Sequence, residues 1–228
     1  ANPSTPEDLL EFLVEAYGTE IDCRILAVYL ERSAAVGLRG VRALCYAGID
    51  LNNLATAHGS ARSALHLCCN RPVSVAVVEF LLDGAAVQAA SGGCDPASFL
   101  GVDDTMALEQ YLKGCPALDV GVVRALAREG VPLSPMPNSS GAWGTALTLA
   151  CSNPSVSVGV VQALLDAGAD PSQADVTGEQ PAVCFCKAAR ETADVHAILE
   201  LLVPADFGAD GQWTYVTSEG TAQHKCSP

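Results

Sequence analysis

Ten cysteines and four histidines are the side chains of this chain with the widest chemical reach. A structural zinc site needs four converging sulfur or nitrogen ligands. Cys184 and Cys186 form a C-x-C pair and Cys68 adjoins Cys69, but no C-x-x-C pair occurs. His58, His66, His196 and His224 keep no regular spacing from the thiols. Cys23, Cys45, Cys68, Cys151 and Cys184 fall instead at apolar positions of helical patterns, where a free thiol packs as a small hydrophobe. The pair Asp103-Asp104 immediately precedes Thr105, where negative charge suits the start of a helix better than acid–base work. A Gly-x-x-x-x-Gly-Lys phosphate loop and a Gly-x-Ser-x-Gly elbow are both missing, and Ser91-Gly92-Gly93-Cys94 follows no strand pattern. Nothing assembles a nucleophile, a base and an oxyanion donor. The expectation is a chain that is not an enzyme, with no metal and no cofactor.

Composition narrows the class further. The chain has 228 residues, a formal net charge of −14, 50% hydrophobic residues and 17% charged ones. That apolar share is enough to build a core, so the charge does not imply disorder. Binding to nucleic acid or to an anionic membrane relies on Lys and Arg, and only 12 such residues face 26 acidic ones. Residues 130–165 carry no charge, but Pro132, Pro135, Pro137 and Pro154 break them up, so no spanning helix is expected. The first residues show no cationic region followed by an apolar stretch, the mark of a secretory leader.

The elements that carry these residues repeat. Val158-Gly-Val-Val-Gln-Ala-Leu-Leu-Asp-Ala-Gly168-Ala-Asp-Pro171 returns as Val120 to Leu133 and as Leu38 to Leu51. Looser copies run from Val75 to Ala85 and from Val195 to Ala205, and Leu10 to Gly18 matches the end of one more. The position of Gly168 recurs at 18, 48, 85, 130 and 205, in steps of 30 to 45 residues. Each copy is amphipathic: Val158, Val161, Leu164 and Leu165 make one helical stripe. Gly48, Gly130 and Gly168 stand where a left-handed C-cap suits glycine. Upstream lies a second short helix in each unit. Ser63, Thr105 and Thr145 are its predicted N-caps, and Pro181 takes the first helical position.

Thr145-Ala-Leu-Thr-Leu-Ala150 and Ser63-Ala-Leu-His-Leu-Cys68 resemble the Thr-Pro-Leu-His-x-Ala signature of ankyrin repeats. Gly168-Ala-Asp-Pro171 and Asp175-Val-Thr-Gly178-Glu-Gln-Pro181 resemble that family's helix end and turn. The resemblance implies an all-α, ankyrin-like solenoid of about five stacked helix–turn–helix repeats. It would form one domain over residues 1–216, with a partial repeat at 6–18 and repeats at 19–51, 52–87, 88–133, 134–171 and 172–208. Residues 217–228 are expected to be a loose tail. His66, at the family's usual histidine position, is expected to bond backbone in the adjoining turn. The loops between paired helices are lengthened: Cys69 to Ser74 and Cys151 to Ser157 are near copies. Val87 to Asp104 is expected to be a long entry loop.

Such a fold implies recognition through inner helices and turn tips. The tips would be residues 52–60, 87–104, 133–143, 173–179 and 206–213. Trp143 and Trp213, the only tryptophans, fall there, together with His58, Met136 and Asn138. Exposed loop aromatics often anchor partners. The expected function is a non-catalytic interaction module, scaffold or subunit of a larger complex. Its partner would be a protein, with a basic patch complementing the acidic chain. The alternatives are a regulatory or inhibitory subunit of an enzyme, or a redox- or metal-responsive protein using its cysteines. The resemblance also implies an intracellular, cytoplasmic setting in which thiols stay reduced.

Overall fold

The computed structural model describes residues 12–13, 15–17, 23–33, 36–46, 54–55, 61–91, 102–128, 131, 133, 136–137, 143–188, 194–203, 212–217 and 220–225. Helix dominates, and strand is confined, among the described residues, to three two-stranded antiparallel hairpins. No helix among these residues is long and apolar enough to cross a membrane. The chain divides into two units, residues 1–110 and 111–228.

The first unit contains α1 (Cys23–Arg32), α2 (Leu38–Tyr46), β1 (Leu54–Ala55), β2 (Ala61–Arg62), α3 (Ala64–Cys68) and α4 (Val75–Ser91). Helix α1 buries Ala27, Tyr29 and Leu30 and packs on β1 and α3. The Tyr29 hydroxyl stays inside the unit by accepting the Gly37 amide at 3.1 Å, one residue before α2. Ser63 caps α3, its hydroxyl accepting the His66 amide at 3.2 Å. Helix α4 buries Val77, Val78, Leu81 and Leu82 as one stripe, and packs against α2 and α3. The Arg42 guanidinium of α2 lies 5.4 Å from the centre of the Phe80 ring of α4. Two contacts join the loops that link each helix pair: Val36 bridges Val73, and Arg71 Nη1 donates to the Ser33 carbonyl at 2.7 Å.

The second unit opens with the last turn of α5 (Val102–Gly114). It continues through α6 (Val120–Leu126), β3 (Met136–Pro137), β4 (Trp143–Gly144), α7 (Ala146–Ser152) and α8 (Val158–Asp166). Then come α9 (Pro181–Lys187), α10 (Val195–Leu202), β5 (Gln212–Thr217) and β6 (Gly220–Lys225). Asp119 caps α6 through Oδ1, which accepts the Gly121 and Val122 amides at 2.7 and 3.2 Å. Thr145 and Thr148 form a capping box on α7: each hydroxyl accepts the other's amide, at 3.1 and 2.8 Å. Pro181 opens α9 as its sequence position predicts. Helix α8 ends in a Schellman motif, where Gly168 (φ +93°) donates to Leu165 at 2.9 Å and Ala169 to Leu164 at 3.0 Å. Helices α6, α7 and α10 all pack against α8, and α9 packs on α7.

The two units are built on one plan. A shift of 82 residues carries Tyr29 to Tyr111, Ser63 to Thr145 and Arg71 to Asn153. Tyr111 accepts the Asp119 amide at 2.9 Å, as Tyr29 accepts Gly37; both bonds span eight residues. Asn153 Nδ2 donates to the Cys115 carbonyl at 2.9 Å, as Arg71 donates to Ser33; both span 38 residues. The same shift carries the register Leu54↔Arg62 to Met136↔Gly144. Leu30 and Leu112 are both fully buried, as are Val41 and Val123.

Three sequence expectations need correction. Helix α4 runs through residues 87–91, where the entry loop was expected to begin. The residue that aligns with Gly168 is Ala85, which disfavours the left-handed turn that ends α8 and is the strongest helix former. Helix α5 begins at Val102, so Asp103, Asp104 and Thr105 lie within its first turn and do not precede it. Their acidic pair still suits the positive helix end. The tail expected to be loose from Thr217 instead pairs as strand: β5 and β6 run from Gln212↔Lys225 to Thr217↔Gly220. Trp213, Thr214, Tyr215, Val216 and Thr217 are residue types favoured in strands.

Candidate functional site

The hairpin β3–β4 carries two of the five candidate residues. Met136 faces Gly144 in the ladder and Pro137 faces Trp143, so Met136 and Trp143 share one hairpin without being direct partners. The Ala146 amide donates to the Leu133 carbonyl at 3.2 Å, which ties the base of the hairpin to the start of α7. Gly144 sits close to that helix. A β-carbon there would lie 3.0 Å from Leu149 and 3.3 Å from Thr148 Oγ1. The counterpart of Met136 in the first unit, Leu54, is fully buried. Trp213 lies on a separate hairpin, paired with His224 on β6, in strand rather than in the expected turn. His58 and Asn138 lie outside the described residues.

The turn joining α8 to α9 is defined in most detail. Asp170 Oδ1 accepts the Ser172 amide at 2.8 Å and the Ser172 hydroxyl at 2.6 Å. Asp175 repeats the device with Thr177, at 2.8 and 2.6 Å, and its Oδ1 also accepts the Glu179 amide at 3.0 Å. The Asp175 amide donates to the Glu179 carbonyl at 2.9 Å, and Gly178 (φ +82°) closes the loop by donating to Asp175 at 3.0 Å. An aspartate two residues before a donor stabilises such turns because its short side chain can replace a main-chain acceptor. Val176 projects from this brace with 55% of its surface exposed. It was not a sequence candidate, because Val alone reads as a core residue. Its place inside Asp175-x-x-Gly178 was the available signal.

The electrostatics around the turn are mixed. Hydrogen bonds from Ser172 hold the Asp170 carboxyl below its ordinary range. Glu179 accepts from Lys187 of α9 in an ion pair and lies 3.9 Å from Cys184 Sγ. Burial, then the negative Asp175 and Glu179, pushes the Cys184 thiol up to about 11. A thiol held that high is a poor nucleophile at neutral pH. Burial likewise raises Cys45. Cys68, Cys151 and Cys184 are buried, as their helical positions predict, and so are Cys69 and Cys115 outside the helices. Cys45 is only half-buried, and the side chain of Cys23 lies outside the described residues. Among the described residues no group of three or more His, Cys, Asp or Glu is placed to hold a metal ion. His66 is buried at 1% exposure, while His196 is exposed and meets Glu200 Oε1 at 3.0 Å. Beside the turn, Leu133, Gly168, Ala169, Asp170 and Gln173 line a half-open cleft of ≈ 340 Å³.

No protein-family model matches the chain, and no curated protein matches it.

Proposed function

We propose that this chain is an ankyrin-like stack of helix pairs that serves as a non-catalytic module for binding a protein partner. The observation that carries the reading is the correspondence of Arg71 with Asn153. Each sits just before a proline in a loop between paired helices, and each donates to a carbonyl 38 residues earlier. A bond of that span joins one helix pair to the preceding pair, as expected where units too small to fold alone share one core. The hairpins β1–β2 and β3–β4 and the braced turn at 170–180 then supply tips between successive helix pairs.

The turn at 170–180 is already braced, so docking orders little of it, and the net charge of −14 favours a partner with a basic patch. Buried thiols at Cys68, Cys115 and Cys184 suit a reducing, intracellular compartment, where cysteine serves as a packing residue. The test is affinity capture on the immobilised full chain at low and at high salt, repeated with Val176→Asp. Retention that falls with salt and with this substitution, at unchanged helical signal, is the expected result. Retention of no protein at any salt overturns the reading.

A further inference from the structure

The cleft beside the turn at 170–180 is built before any partner arrives. Its wall at Gly168 is bare main chain, fixed by the Schellman bonds to Leu164 and Leu165, and a β-carbon there would meet nothing within 4 Å. The lining also includes the buried Ala169 and the half-buried Leu133, its apolar members. The Gln173 amide donates to the Asp170 carbonyl at 3.2 Å, which closes the rim. Both Ser172 bonds to the Asp170 side chain fall on Oδ1. A carboxylate has roughly four lone-pair sites, so Oδ2 keeps its acceptor capacity. The rim therefore carries a carboxylate held by Ser172, with Gln173 as a second polar lining residue, at the negative end of α8.

We propose that this cleft receives an arginine side chain of the protein partner, with its stem along Leu133 and Ala169 and its guanidinium on Asp170 and Gln173. The cleft is at the small end of the range for ligand pockets, about 300–1,000 Å³, and suits a single long side chain. A long cationic side chain lays apolar methylenes along a wall while its head meets the rim. Arginine fits better than lysine because its planar fork can reach a carboxylate and a neighbouring carbonyl together. The acidic chain supplies the matching field. The first unit lacks the equivalent wall, since α4 continues as helix through Ala85 where α8 has turned at Gly168. This assignment rests on the reading of the chain as a protein-binding module and names the contact chemistry of one part of it.

The probe is the peptide acetyl-Gly-Gly-Arg-Gly-Gly-amide, titrated into the isotope-labelled full chain and followed by amide chemical shifts. The same peptide with citrulline is the uncharged control. Saturable shifts centred on residues 168–173 are expected. Binding should weaken about three- to fivefold with citrulline or with Asp170→Asn, the range that an exposed ion pair supplies. Gln173→Ala, which leaves the Asp170 brace in place, should weaken it by a smaller factor. Shifts spread over the whole surface, equal shifts with citrulline, shifts unchanged in Asp170→Asn, or no shift at all overturn the assignment. If protein capture survives while the peptide ignores the cleft, the cleft is wrong and the interaction module stands. If the peptide seats there but no protein is ever retained, the interaction module falls instead.

Discussion

Asn153 holds the Cys115 carbonyl as Arg71 holds that of Ser33, across an equal stretch of chain. Asn153 makes the fuller set of bonds. Its Nδ2 also donates to Leu112 at 2.8 Å, and its Oδ1 accepts the Ser155 amide at 2.9 Å and hydroxyl at 2.8 Å. Every donor of this buried side chain is used and its oxygen is doubly engaged. Asn153→Ala should therefore lower stability by about 1–3 kcal/mol, because the buried Leu112 and Cys115 carbonyls lose their donors. Asn153→Asp should be worse at pH 7 than at pH 4, since an ionised carboxylate would face two carbonyl oxygens. Urea denaturation of both variants is the check, and a loss under about 0.5 kcal/mol would remove this bond set from the architecture.

Tyr29 and Tyr111 each accept the amide that leads into the following helix. Burial raises the Tyr111 phenol, so it stays protonated across the working pH range. Phenylalanine at either position keeps the ring and loses the acceptor. Each substitution should cost about 1 kcal/mol by thermal or urea denaturation, with amide exchange quickened at Gly37 or Asp119.

Gly168 and Ala85 occupy matching places with opposite outcomes. Gly168→Ala forces a β-carbon into a left-handed conformation and should cost about 1–2 kcal/mol, although no atom is in its way. Ala85→Gly should do the reverse to α4, weakening hydrogen-exchange protection from residue 85 onward. Protection unchanged in Ala85→Gly would mean that something other than residue type extends this helix.

Cys184 should resist alkylation in the folded chain and react promptly in denaturant. Its folded pKa of about 11 exceeds the ordinary 9.0, so at neutral pH the thiol is protonated in both states and the difference is silent. As pH rises above 9 the unfolded thiol ionises first, and stability falls until pH passes about 11. Cys184→Ser should flatten that alkaline decline, apart from its own packing cost. Rapid labelling of native Cys184 at pH 7.5 would contradict its burial.

Much of the helical plan is legible in the residues alone. The stripe of α8, the caps at Ser63 and Thr145, Pro181 at the start of α9 and the glycine after α8 all follow from side-chain size, hydroxyls and backbone freedom at stated positions. The pairing of Arg71 with Asn153 is not legible, because what they share is the carbonyl they reach, and carbonyls have no letter code. Serine and cysteine occupy those acceptor positions interchangeably. The variable steps between single repeats hide the 82-residue shift, which holds from Tyr29 to Arg71 and becomes 83 where Val75 matches Val158. Among site residues, the tips at β3–β4 and 173–179 are readable as breaks in the helical pattern. Val176 is not, since exposure depends on the brace set by Asp175. Trp213 fails as a turn residue because its neighbours favour strand.

The shift that carries Tyr29 to Tyr111 and Arg71 to Asn153 also bears on which feature of the tie recurs. The side chain that reaches back is a guanidinium in one unit and a carboxamide in the other, so it is the donor and the 38-residue span that recur, not the residue type. Inserting or deleting residues between Ser33 and Arg71, or between Cys115 and Asn153, would part each donor from the carbonyl it reaches.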